Sequence, residues 1–153
     1  MAIPGEPQRR QGVEPKRASA GVRISAALIA AAMLTLLGVA ASIAPAGDGH
    51  GTHTQLGMPA CGWAVSLDAP CPTCGMTTAF AHAAEGDMLA SLVTQPAGAV
   101  GSVAAALLVW AGGWIALTGA RLHVLARPLM RGRVGWIMLA GVLAAWGYKA
   151  IVW

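Results

Sequence analysis

Three long apolar runs without charge, or nearly so, divide the chain: Ile24 to Ile43, Ala97 to Gly119 and Val134 to Trp153, the last interrupted only by Tyr148 and Lys149. At about 1.5 Å of helix rise per residue, each run is long enough to cross a hydrocarbon core of roughly 30 Å. Pro45 and Gly47 stop the first run, and Gln95-Pro96 precedes the second. Ahead of them lies Met1 to Arg23, polar, rich in Pro and Gly and poor in large apolar residues, which reads as a disordered leader. Between the first two runs, residues 45–96 hold a C-x-x-C at Cys71 and then a stretch, Met76 to Val93, with helical character. In that stretch Met76, Phe80, Ala83 and Ala84 form one apolar side, and Gly86-Asp87 interrupts it. The pattern predicts an all-α membrane protein with three transmembrane helices and a short interfacial or re-entrant helix, Pro72 to about Ala84, after the C-x-x-C. Its domains are a leader, 1–23, and a single membrane domain, 24–153.

Composition supports this choice of solvent. Apolar residues make up 56% of the chain and charged residues 10%, against about 25% charged in ordinary soluble domains. A soluble all-α chain of 153 residues would have too much surface to cover with so few charges. The net charge of +4 is blocked along the chain rather than mixed. Arg9, Arg10, Lys16, Arg17 and Arg23 precede the first span, and Arg121, Arg127, Arg131 and Arg133 lie between the second and third. The loop 45–96 has no Lys or Arg, only Asp48, Asp68, Glu85 and Asp87. Under the positive-inside rule the N-terminus is cytoplasmic, and the cysteine loop and the C-terminus lie outside a plasma (inner) membrane crossed three times. The basic blocks face lipid headgroups, not nucleic acid, because no basic and aromatic groove accompanies them. Trp110, Trp114, Trp136, Trp146 and Trp153 suit the interfacial belts, and Lys149 is expected to snorkel to the headgroups. No acid lies in the spans, which speaks against a proton pump or ion-coupled transporter. Ala44-Pro45-Ala46 after a basic leader also resembles a signal-peptide cleavage site, although the apolar run exceeds the usual h-region of about 7–15 residues. Small residues at four-residue spacing, Ala26 and Ala30 or Gly141 and Ala145, permit close helix packing.

The three cysteines, Cys61, Cys71 and Cys74, all fall in the loop. Pro is tolerated in the first turn of a helix, so a helix starting at Pro72 would put Cys71 at its N-cap, where amides and the helix dipole favour a thiolate. On that helix Cys74, Thr78, His82 and Glu85 would share one stripe. Such a stripe is also what a solvent-facing side looks like. Three chemistries suit the residues. One is a structural disulfide, with one cysteine left over, on the oxidising side of the membrane. Another is dithiol redox at Cys71 and Cys74, although the βαβ context of thioredoxin-like proteins is missing. The third is a zinc site on Cys61, Cys71, Cys74 and His82, a Cys3His set; the residues name no other cofactor, which leaves zinc or none. His50 and His53, in a Gly-rich stretch, read as linker, and His123 falls on the cytoplasmic side. No nucleophile–base set, P-loop or H-E-x-x-H is present.

Cys61, then Asp68-Ala69-Pro70-Cys71-Pro72-Thr73-Cys74-Gly75-Met76-Thr77, Gly86-Asp87 and Gln95-Pro96-Ala97 together resemble the bacterial membrane-protein family catalogued as domain of unknown function 2752. The resemblance spans about Ala60 to Gly119 and rests on a C-P-x-C-G-x-T signature. Many members have Arg after that Thr, where this chain has Thr78, so no role for such an Arg carries over. The resemblance implies a multi-span protein in which Cys71 and Cys74 matter, and it implies no reaction. The expected function is that of a non-enzymatic membrane component whose cysteine cluster, by disulfide or metal, organises the loop to engage another membrane protein. A membrane thiol–disulfide oxidoreductase subunit, with Cys71 attacking and Cys74 resolving, is the alternative.

Overall fold

A computed structural model describes residues 17–122 and 132–152, and every regular element among them is helical. The leader residues 1–16, with Arg9, Arg10 and Lys16, and the loop residues 123–131, with His123, Arg127 and Arg131, lie outside the described residues, as does Trp153. Three helices are long and apolar enough to cross a membrane: α1 (Ala20–Ala41), α5 (Pro96–Thr118) and α6 (Gly132–Ile151, apolar from Val134). Between α1 and α5 come a 3-10 turn (Thr52–Leu56) and three short helices, α2 (Gly62–Leu67), α3 (Met76–Ala84) and α4 (Met88–Thr94).

Lipid is the solvent that makes these helices intelligible. Leu117 is 81% exposed and Ile137 69% exposed, which in water would forfeit about 25 cal/mol for each Å² of apolar surface left uncovered. The hydroxyls on the long helices turn back onto their own backbone. Ser25 Oγ donates to Gly21 O at 2.6 Å, Thr35 Oγ1 to Ala31 O at 2.9 Å, Ser102 Oγ to Ala99 O at 2.8 Å and Thr118 Oγ1 to Trp114 O at 2.7 Å. No polar group need then face hydrocarbon unpaired.

The ends of these helices follow from local capping. Ser19 caps α1, accepting from Val22 N, so the helix starts at Ala20 rather than at Ile24, and Arg23 belongs to its first turn. Arg23 then reaches across to the C-terminus of α5, where its guanidinium donates to Ala116 O at 2.9 and 2.8 Å and to Leu117 O at 3.3 Å. The last carbonyls of a helix lack intrahelical donors and carry the negative end of its dipole, so a cation there answers both needs. Pro96 occupies the first turn of α5, a position that asks for no N–H, and Gly119 ends it in the left-handed region.

α1 and α5 run antiparallel and pack more extensively than any other pair of elements. The buried face of α5 is built of small residues, Gly98, Ala99, Ser102, Ala105 and Gly112, together with Ile115. A Cβ on Gly112 would lie 2.7 Å from Ala26 O and 3.0 Å from the Ala30 Cβ. The Ala26–Ala30 spacing is thus used as a contact surface, whereas Gly141 has nothing within 4 Å. Close approach of backbones replaces the hydrophobic drive that lipid cannot supply.

α3 and α4 form a hairpin against the first half of α5. Ser91 Oγ, buried on α4, donates to Ala79 O at 2.7 Å, and a Cβ on Gly98 would lie 2.8 Å from the Ala79 Cβ. Asp87 caps α4 by accepting from Ala90 N at 2.8 Å. By contrast, α6 touches α5 only lightly. Its attachment is at one end, through three side chains that reach backbone carbonyls of three different segments. Trp146 Nε1 donates to Pro70 O at 2.9 Å, Tyr148 Oη to Val93 O at 2.9 Å and Lys149 Nζ to Gly49 O at 3.2 Å.

Candidate functional site

The cysteine turn is built by Pro72 and Gly75. Cys74 N donates to Cys71 O at 2.9 Å, and Met76 N to Thr73 O at 3.1 Å, so residues 71–76 wind as successive tight turns. Pro72 sits at the second position of the first turn, where its fixed φ is suited. Gly75 then takes φ 82°, and α3 begins only after it, at Met76. The expected helix start at Pro72 is therefore corrected, because a residue in the left-handed region cannot continue a right-handed helix. A Cβ on Gly75 would also fall 2.7 Å from Gly49 O. Only glycine meets both conditions.

With that correction the stripe of Cys74, Thr78, His82 and Glu85 comes apart. Cys74 precedes the helix and is 7% exposed. Thr78 is fully buried, its Oγ1 2.8 Å from Thr52 Oγ1, which also accepts from Ala46 N at 2.9 Å. His82 is half-buried in the last turn of α3, and Glu85 is exposed just beyond it. Cys71 is not an N-cap residue either; its Sγ lies 3.4 Å from Thr73 Oγ1.

The residue that does occupy an N-cap is Cys61, at the start of α2. Asp68 ends α2 in the left-handed region, and the chain doubles back so that Pro70 meets Trp146. Trp63 on α2 packs edge-on against the same Trp146, ring centroids 6.4 Å apart and planes at 66°. This hairpin sets Cys61 and Cys71 on the wall of one cavity. The Ala64 amide, then a hydrogen bond with the Cys71 side chain, then the Trp63 amide hold the Cys61 thiol below its ordinary range. Cys74 behaves oppositely. Burial, and after it the charges that Cys71 and Cys61 can carry, push its thiol up, with the Lys149 ammonium among the weaker opposing influences.

Alkylation of the reduced protein should follow this order. Cys61 is expected to react at lower pH than Cys74, because the thiolate is the reacting form. Mass mapping of modified peptides across a pH series checks it; equal pH profiles for the two would contradict the geometry.

Lys149 departs most from expectation. It does not snorkel outward but is 5% exposed, folded under the cysteine turn with its Nζ on Gly49 O and 3.4 Å from the position of a Gly75 Cβ. The strand of chain it holds, 46–49, is the one that Thr52 and Thr78 tie to α3. His50 and His53, expected in a linker, are both engaged: His50 Nδ1 lies 2.9 Å from Asp48 O, and His53 Nε2 lies 3.1 Å from Pro59 O. The sequence reading also missed Gln95, which is completely buried with neither its Nε2 nor its Oε1 partnered. The bare Gln95-Pro96 pair signals a helix start and gives no hint of a buried amide.

Beside the cysteine turn lies a partly open cavity of about 680 Å³. Leu36 and Val39 at the end of α1, Ile43 just beyond it, Met58, and Phe80 of α3 give it an apolar wall, and Cys61, Cys71 and Cys74 all face it. His82 is not on that wall. Among the described residues, no group of three or more His, Cys, Asp or Glu is arranged to hold a metal ion. What the arrangement does supply is three thiols on one cavity wall, Cys61 and Cys71 partly exposed and Cys74 buried.

No curated protein and no solved structure matches the chain. Residues 61–111, from Cys61 at the head of α2 into the second half of α5, match the family model described as "Protein of unknown function (DUF2752)". That segment, which contains the whole cysteine turn and covers a third of the chain, is similar to this family of unknown function.

Proposed function

We propose that the protein is a non-enzymatic membrane component whose cysteine segment lies on the non-cytoplasmic face and is closed there by a Cys61–Cys71 disulfide, forming a shaped surface for another membrane protein. The observation that carries this reading is that α2 and the Trp63–Trp146–Pro70 contact set Cys61 and Cys71 on the wall of one cavity. The odd cysteine is then Cys74, buried and poorly ionised. The unbroken acidic character of the loop and the basic flanks of the spans support the orientation, and that side of the membrane is where disulfides persist. Closing a loop of this length contributes about 2–4 kcal/mol. Reduction should therefore lower the thermal midpoint of the detergent-solubilised protein and of Cys74→Ala, and leave Cys61→Ser unaffected. Insensitivity of the unmodified chain to reductant, or equal sensitivity of Cys61→Ser, overturns the reading.

A second reading, a thiol–disulfide oxidoreductase subunit, draws support from the depressed Cys61 thiol. In that case the attacking thiol is Cys61, resolved by Cys71, instead of Cys71 resolved by Cys74. Cys71→Ser should then trap a mixed disulfide through Cys61, and failure to trap one removes the support.

A further inference from the structure

The thiol pair and the apolar cavity share a wall, and no role assigned above uses the cavity. Its volume of about 680 Å³ falls within the range of roughly 300–1,000 Å³ typical of small-molecule sites. One side of it is the terminal part of a span-length helix, Leu36 to Ala40, so a ligand dissolved in the bilayer reaches it more readily than one dissolved in water. The chemistry on its other side narrows the class. Joining two thiols releases two electrons and two protons, so an acceptor at this wall must take both. A lipid-soluble molecule that does so is a quinone.

We propose that the cavity binds a lipid-soluble quinone, which oxidises the Cys61 and Cys71 thiols to the disulfide. Two S–H bonds break and one S–S bond forms. The two electrons and two protons pass to the quinone's two carbonyl oxygens, and it leaves as the hydroquinone. Thr73 and Thr77 hydroxyls on the same wall offer O–H donors to those carbonyls, while Leu36, Val39 and Phe80 cover the ring and the first part of its tail. Cys74, on the same wall but buried, is not consumed.

The inference rests on the Cys61–Cys71 pairing proposed above, and its test separates the two. The full chain, purified in detergent, is reduced, freed of reductant and kept anaerobic. It then receives decyl-ubiquinone, whose fully substituted ring resists stable addition of thiols, or, in a parallel sample, diamide. Loss of quinone absorbance and mapping of the alkylated cysteines are followed together. The expected result is one quinone reduced per Cys61–Cys71 disulfide formed. Leu36→Trp and Met58→Trp fill the cavity from positions already 44% and 46% exposed, where the fold tolerates bulk. Each should slow the quinone reaction by about tenfold or more, the scale on which an apolar pocket discriminates shape, while diamide closes the pair as fast as in the unmodified chain. If diamide forms the disulfide and decyl-ubiquinone does not, or oxidises both tryptophan variants at the unmodified rate, the quinone site is overturned and the pairing stands. If neither reagent links Cys61 to Cys71, the pairing itself fails.

Discussion

Replacing Gly75 with alanine is expected to dislodge the cysteine turn and to destabilise the protein more than any other single methyl added to this segment. Two penalties coincide there. Holding alanine at φ 82° costs about 1–2 kcal/mol, and its Cβ would press to 2.7 Å on Gly49 O, a backbone atom fixed by Lys149, which costs about 1–3 kcal/mol more. Gly51 is the matched control. Its φ is 81°, but nothing lies within 4 Å of an added Cβ, so Gly51→Ala should show the backbone penalty alone. Thermal unfolding in detergent, compared for the two variants, isolates the crowding. Equal losses would mean that the 46–49 segment and Lys149 do not back the turn.

The second large effect is expected at the α1–α5 seam, where neighbouring glycines should respond with opposite sign. Gly112→Ala places a methyl 2.7 Å from Ala26 O and 3.0 Å from the Ala30 Cβ, so the helices must part. The spread forfeits contacts along the small-residue face from Gly98 to Ile115, and overpacking of this kind costs about 1–3 kcal/mol. Gly113→Ala meets nothing within 4 Å and gains the helix propensity of Ala over Gly, up to about 1 kcal/mol in water. Folded yield and thermal midpoint should therefore fall for the first variant and hold or rise for the second. A stable Gly112→Ala protein would show that α1 and α5 are not packed backbone to backbone.

The long helices were legible because their cause is local. A charge-free run of the right length has one favourable solvent, and the spans deduced from it differ from α1, α5 and α6 only at their ends. Those ends are set by caps that hydropathy does not register, such as Ser19 and the Arg23 contact with α5. Of the four residues proposed for the site, the three cysteines line one cavity and His82 does not. The placement of Cys61 on that wall depends on α2, a helix too short, Gly62–Leu67, for any periodicity to reveal. The start of α3 was misjudged because Pro72 permits a helix there. What forbids one is the left-handed Gly75, set against a carbonyl far away in sequence. Lys149 was misjudged for a related reason. A lysine near the end of an apolar run has water within reach, and only the tertiary position of Gly49 draws it inward.

The pairing of thiols is the point on which the functional reading turns, and intact cells provide the direct measurement. Free thiols are blocked with a membrane-impermeant maleimide, the protein is digested without reduction, and linked peptides are sequenced by mass spectrometry. The expected result is a Cys61–Cys71 cross-link and a Cys74 that is unlinked and poorly labelled until the protein is denatured. A Cys71–Cys74 cross-link, or three unlinked cysteines labelled only after the cells are opened, would contradict it.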